Sequence, residues 1–276
     1  MPTQNQKRQR QKMGRQARQA ALLAARKRRA RRNRMIVSSF LALLLVAGIL
    51  TVWGGGNSGK NVSTSDTSVT SVAPGGPVEL PKVPDGEAIS GDTACPSADG
   101  SSPRTTKFAK APPMCLQPGK KYTAEIKTNF GTMVADLDSA NAPKTVNNFV
   151  VLARYHYFDG ISFHRIIPGF VIQGGDPKQT GTGDPGYKFE DELPKAGQYK
   201  AGSLAMANSG ANTNGSQFFI ISGEQGVALP PQYSLFGQVT QGQEVIPKID
   251  AVGSPNSDGG KPTAVVTMES VTIKEV

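Results

Sequence analysis

The sequence predicts a mainly β domain, a closed eight-stranded antiparallel barrel capped by two helices, behind a basic arm, one transmembrane helix and a flexible linker. Three observations predict it: a charge-free apolar run at residues 35–53, a Gly/Ser/Thr/Pro-rich stretch after it, and eight short strand-like runs with two helical ones between residues 120 and 276. Many short strands in so small a region favour closure, because a closed sheet leaves no unpaired edge.

The arm comes first. Residues 1–34 hold 13 of the 31 Lys and Arg residues and no Asp or Glu. The overall charge of +10 therefore describes this arm, and the rest of the chain, with 18 basic and 21 acidic residues, carries −3. A basic protein invites a nucleic-acid reading, but a mildly acidic folded part argues against it, so no nucleic-acid partner is expected. The arm reads instead as a cytoplasmic topology signal attracted to anionic headgroups.

Residues 35–53 (MIVSSFLALLLVAGILTVW) run 19 residues without a charge. As a helix they span roughly 28 Å, close to the hydrocarbon thickness of a bilayer. Their only polar side chains are Ser38, Ser39 and Thr51, and Trp53 sits where an interfacial aromatic belongs. Basic residues before the span keep the N-terminus cytoplasmic and send everything after Trp53 across. A cleaved signal peptide is the rival reading; its n-region would be far too long, and no small-x-small site follows directly. An uncleaved single-pass anchor in the cell membrane, with an extracytoplasmic domain, is expected.

Residues 54–93 carry few large apolar side chains and read as a flexible tether. Residues 94–119 form a Pro-rich extension bracketed by Cys95 and Cys115. In an oxidising compartment these two can form a disulfide stabilising by roughly 3 kcal/mol; the other reading is two unpaired thiols. One cysteine pair without a nearby histidine makes no metal site, and no metal or cofactor is expected.

From residue 120 the strand pattern begins. Runs at 122–127 and 132–137 flank Asn129, Phe130 and Gly131, a hairpin signal. Residues 142–155 read as a helix with Pro143 in its first turn and Val146, Phe149, Val150 and Ala153 on one face. Further strands are expected at 161–167, 170–173, 202–207, 217–221, 235–239 and 264–274, with a second helix at 244–252.

Two segments exceed what packing or turns require: FHRIIPGFVIQGGD at 163–176, and SLAMAN at 203–208 continuing through NTNGSQFFI at 212–220. Together, and in this order and spacing, they resemble the signature blocks of the cyclophilins, a family of peptidyl-prolyl cis/trans isomerases. The resemblance covers residues 120–276, and GTGDPGYKFEDEL at 181–193 resembles the loop between the blocks. It implies isomerisation of X–Pro bonds in proline-containing polypeptides, here in the folding of extracytoplasmic proteins. A proline-binding chaperone or scaffold with incidental turnover is the alternative.

By motif position, the resemblance makes Arg165 the catalytic arginine and Gln173 the glutamine that orients substrate. Phe170, Phe219 and Leu229 would line the proline pocket, with His164, Val171, Ala207, Asn208 and Tyr233 around the bound peptide and the Asn208 backbone pairing with it. Phe218 alternates with Phe219 and is expected in the core. Tyr233 stands where many eukaryotic members carry a histidine. Ala228 falls where they carry a tryptophan that donates a ring N–H to cyclosporin, which implies weak cyclosporin binding with activity retained, a pattern that looks bacterial.

Overall fold

A computed structural model describes residues 78–275. The expected arm, the span at 35–53 and the linker as far as residue 77 lie outside the described residues. Among the described residues no helix is long and apolar enough to cross a membrane.

The chain begins with two short strands, β1 (Glu87–Ile89) and β2 (Thr105–Phe108), which pair in parallel. The end of the expected tether is thus packed: Val83 and Ile89 lie half-buried against the main core. Next come β3 (Tyr122–Thr128) and β4 (Gly131–Leu137), a hairpin closed by Asn129 and Phe130. Their alternation buries Tyr122, Ala124 and Ile126 on one strand and Met133, Ala135 and Leu137 on the other.

Helix α1 (Pro143–Arg154) follows, with Pro143 in its first turn and no side-chain cap from Ala142. Glu192, 47 residues along the chain, supplies the cap: its carboxylate accepts from the Thr145 N–H at 2.8 Å and the Lys144 N–H at 3.1 Å. A negative group there also suits the helix dipole. The helix buries Val146, Phe149, Val150 and Ala153, as its periodicity predicts.

The remaining elements are β5 (Arg165–Ile167), β6 (Val171–Gly174), β7 (Ser203–Met206), β8 (Phe218–Ile221), a single-turn α2 (Glu224–Val227), β9 (Leu235–Gln241), α3 (Val245–Asp250) and β10 (Met268–Glu275). Eight strands form one antiparallel sheet in the order β10-β3-β4-β9-β7-β8-β6-β5. Its inner face closes on an aromatic cluster in which Phe149 stacks on Phe158 at 5.0 Å and meets the Phe218 ring edge-on at 5.4 Å.

The expected closed barrel is not formed. The sheet is a curled half-barrel whose edge strands, β5 and β10, do not pair with each other; residues 160–163 and 266–268 meet instead, through the Ser162–Thr267 bridge and flanking backbone hydrogen bonds. The reason lies in the backbone of β5, whose outer edge is already satisfied by a loop. The Ile166 N–H donates to the Gly260 carbonyl at 2.7 Å, and the Ile166 carbonyl accepts from the Ser254 N–H at 3.1 Å. An edge covered by loop needs no partner strand. The expected strand at 161–167 accordingly shrinks to its last three residues.

Candidate active site

Strand alternation aims one set of side chains outward. Arg165 pairs with Gln173 across β5 and β6, and Gln173 pairs with Phe219 across β6 and β8. Between β5 and β6 the chain reverses through Pro168 and Gly169, with the Phe170 N–H bonded back to the Ile167 carbonyl at 3.0 Å. Gly169 has φ +72°, which the third position of such a turn requires and a side chain disfavours. Asp250 on α3 clamps the turn by accepting from the Gly169 N–H. Phe170 thereby stands at the tip, its ring centroid 5.9 Å from the Arg165 guanidinium carbon.

The second hydrophobic cluster lies on this outer face. Val171, Tyr199, Ala205, Phe219 and Ile221 are buried in it, and Phe170, Ala207, Leu229, Tyr233 and Leu235 pack against them half-buried. Every apolar residue predicted for the proline pocket is in this cluster. Tyr233 meets the Phe219 ring edge-on at 5.3 Å. Phe218, one residue away, points into the main core as expected.

Beside this apolar floor runs a polar chain. Arg165 Nη1 donates to Gln173 Oε1 at 3.1 Å, and Arg165 Nη2 donates to Asn256 Oδ1 at 3.2 Å. Gln173 Nε2 donates to Gln217 Oε1 at 3.1 Å, whose own amide donates to the Gly183 carbonyl at 2.8 Å. Arg165 is held by neutral amides alone, and no carboxylate neutralises it among the described residues. Burial lowers its pKa from the ordinary value, while the Tyr233 phenol acts in the opposite direction.

His164 lies next to Arg165 with both ring nitrogens buried and unpartnered. Burial holds its imidazole below the ordinary 6.5; Asp176 opposes this and the Arg165 charge adds to it. The Asn208 side chain bonds the Gln232 carbonyl at 2.9 Å. Its backbone N–H and carbonyl have no hydrogen-bond partner among the described residues, so they face solvent chemistry free to pair with a peptide.

Three residues of the site escaped the sequence reading. Gln217 lies inside the second motif, two residues before Phe219 and so on the same face, which is a signal that alternation offered. Tyr199 comes from a loop, and its hydroxyl donates to the Tyr233 carbonyl and accepts from the Tyr233 N–H, fixing that side of the pocket. Asn256 reaches Arg165 from 91 residues away in a single 3-10 turn, where no local pattern marks it.

Residues 123–273 match the family described as cyclophilin type peptidyl-prolyl cis-trans isomerase/CLD. The chain belongs to the cyclophilin family of peptidyl-prolyl isomerases. It is 44% identical to a probable peptidyl-prolyl cis-trans isomerase A of Mycobacterium leprae over 170 residues, which is 55% of this chain and 91% of that protein. It is 42% identical to a peptidyl-prolyl cis-trans isomerase-like 2 of Cryptococcus neoformans, over 57% of this chain and only 28% of that longer relative. The crystal structure of a Cryptosporidium parvum cyclophilin type isomerase, determined in the presence of the dipeptide Ala-Pro, is 34% identical with a TM-score of 0.51 and covers 55% of this chain and 98% of that one. The matched residues 123–273 include the Arg165 cluster.

Among the described residues no three His, Cys, Asp or Glu side chains converge to hold a metal ion. What the cyclophilin site offers is a cation with spare N–H donors beside an apolar floor.

Proposed function

We propose that the protein is a peptidyl-prolyl cis/trans isomerase that acts on X–Pro bonds of polypeptides outside the cytoplasm and assists their folding. The observation that carries the reading is Arg165, a guanidinium that no carboxylate among the described residues neutralises, beside the Phe170–Phe219 cluster with two N–H groups engaged by neutral amides. Rotation about an X–Pro bond faces about 18–20 kcal/mol of lost amide resonance. It needs no nucleophile, only an environment that favours the twisted state over the planar one. An apolar pocket holds the proline ring, and the remaining N–H donors of Arg165 meet the imide nitrogen as its lone pair localises. Gln173 fixes the direction of the fork. The peptide on the other side pairs with the free backbone of Asn208.

The extracytoplasmic part of the proposal rests on the charge-free run at 35–53 behind a basic arm, and on a paired Cys95 and Cys115, which suits an oxidising compartment. The absence of an indole at Ala228 supports weak cyclosporin binding.

A protease-coupled assay on a short X–Pro peptide with the full chain tests the catalytic reading. Arg165→Ala is expected to lower kcat/KM about 100-fold, the scale of losing one transition-state donor; equal rates for both proteins sink it. Added protease should digest the domain in intact cells if it is outside, and should spare it if it is not.

A further inference from the structure

The segment just before β1 is tied down beside the catalytic arginine. The Val78 N–H donates to the Pro262 carbonyl at 3.3 Å. Gln179 holds it from the other side, its amide nitrogen donating to the Pro81 carbonyl at 2.7 Å. The same Gln179 side chain accepts from the Ser162 N–H at 2.7 Å, and its backbone sits at φ +55°. Pro84 packs on Gly160, where a Cβ would come within 2.7 Å of its ring. Residues 78–84 therefore form a strap laid on the domain by backbone pairing, a two-way side-chain clamp and close packing.

Between this strap and the active site lies a groove of about 890 Å³, walled by Val78 and Leu80 on one side and His164, Arg165 and Gln173 on the other. Its rim carries Lys178 and Lys261, and among the described residues neither ammonium has a carboxylate partner. Among the described residues Glu79 is the one carboxylate lining it; the neighbouring Asp176 is buried and occupied by the N–H groups of Lys178, Thr180 and Gly181. Counting Arg165, the described lining of the groove holds three cations against one anion, with apolar area from Val78 and Leu80. It also opens directly onto Arg165 and Gln173.

We propose that this groove extends the substrate site and receives an acidic side chain of the polypeptide flanking the X–Pro unit, so that the strap and the two lysines give the enzyme a preference for acidic sequence. The inference rests on the isomerase reading, whose site it lengthens. Opposite charges so placed attract within a Debye length of roughly 8–10 Å, and salt weakens them.

The test uses the full chain and proline peptides carrying Glu, Ala or Lys at successive positions on either side of the X–Pro bond. Turnover is read by exchange NMR and binding by calorimetry. At one or two positions the Glu peptide is expected to exceed the Lys peptide in kcat/KM and affinity about fivefold, as two partly exposed charge pairs allow, with the ratio shrinking at high salt. Lys178→Glu with Lys261→Glu should bring that ratio below one, while Glu79→Lys should raise it. A ratio of one at every position, or a ratio unchanged in both variants, overturns the proposal. Loss of turnover with the acidic preference kept in binding would instead overturn the isomerase reading alone.

Discussion

His164 and Arg165 are adjacent in sequence and opposite in electrostatic situation. The guanidinium is kept charged among neutral amides, whereas the imidazole is buried with no hydrogen-bond partner and its pKa is pushed down by burial, then by Arg165. A histidine that binds its proton less readily in the fold than in the unfolded chain costs nothing above the ordinary value of 6.5. Below 6.5 the unfolded chain takes up a proton that the folded one refuses, so stability falls as pH falls through the interval down to the folded pKa. His164→Asn is expected to flatten that part of the stability profile. Urea unfolding across about pH 5–7.5 checks it, with a wild-type excess slope of at most about 1.4 kcal/mol per pH unit; parallel profiles would refute it.

At the scale of an element, β8 separates stability from activity within two residues. Phe218 faces the main core, packed edge-on against Phe149 and Phe158, while Phe219 belongs to the outer cluster beside Tyr233. Phe218→Ala should cost about 3–5 kcal/mol of stability, as removal of a buried aromatic does, and leave kcat/KM per folded molecule nearly intact. Phe219→Ala should cost less stability and lower kcat/KM about tenfold, through lost apolar contact with the proline ring. Chemical denaturation and the peptide assay, run on both variants, distinguish the two faces. The alternation that separates them is a property of any strand. Which face became the site was decided by β6, whose Gln173 pairs with Phe219.

At the scale of the molecule, residues 78–119 are fastened to the cyclophilin domain by several independent ties. Cys95 and Cys115 are bonded, with Cα atoms 5.5 Å apart. Asn147 on α1 accepts from the Cys115 N–H at 2.7 Å and donates to the Pro113 carbonyl at 2.8 Å. The Tyr155 hydroxyl donates to the Ala94 carbonyl at 3.0 Å, and Phe108 on β2 packs against the Tyr155 ring. Closing a 20-residue loop chiefly restricts the unfolded chain. Replacing both cysteines by serine should lower stability by about 3 kcal/mol without abolishing isomerisation, because the bond lies away from Arg165. Denaturation of the double variant, with activity measured below its midpoint, tests this; a large loss of activity in the folded variant would contradict it.

Much of the cyclophilin domain was legible because its signals are local. Alternation marked the hairpin of β3 and β4, helical periodicity marked α1, and two motifs marked Arg165, Gln173, Phe170 and Phe219. Other features depend on contacts far apart in the chain. Glu192 caps α1 from 47 residues away, Asn256 reaches Arg165 from 91 away, and Pro81 meets Gln179 across 98. No periodicity records such meetings. The same reason explains the error over closure: eight strand patterns state that a sheet forms, but only the assembled chain determines what satisfies its last edge. Here a loop bonding Ile166 did so, and the barrel stayed open. The sequence by itself determined the β3–β4 hairpin, α1 and the motifs that carry Arg165, Gln173, Phe170 and Phe219, because neighbours in the chain encode them; tertiary structure alone decided the half-barrel, the β1–β2 pair, the strap at 78–84 and the groove it makes beside Arg165.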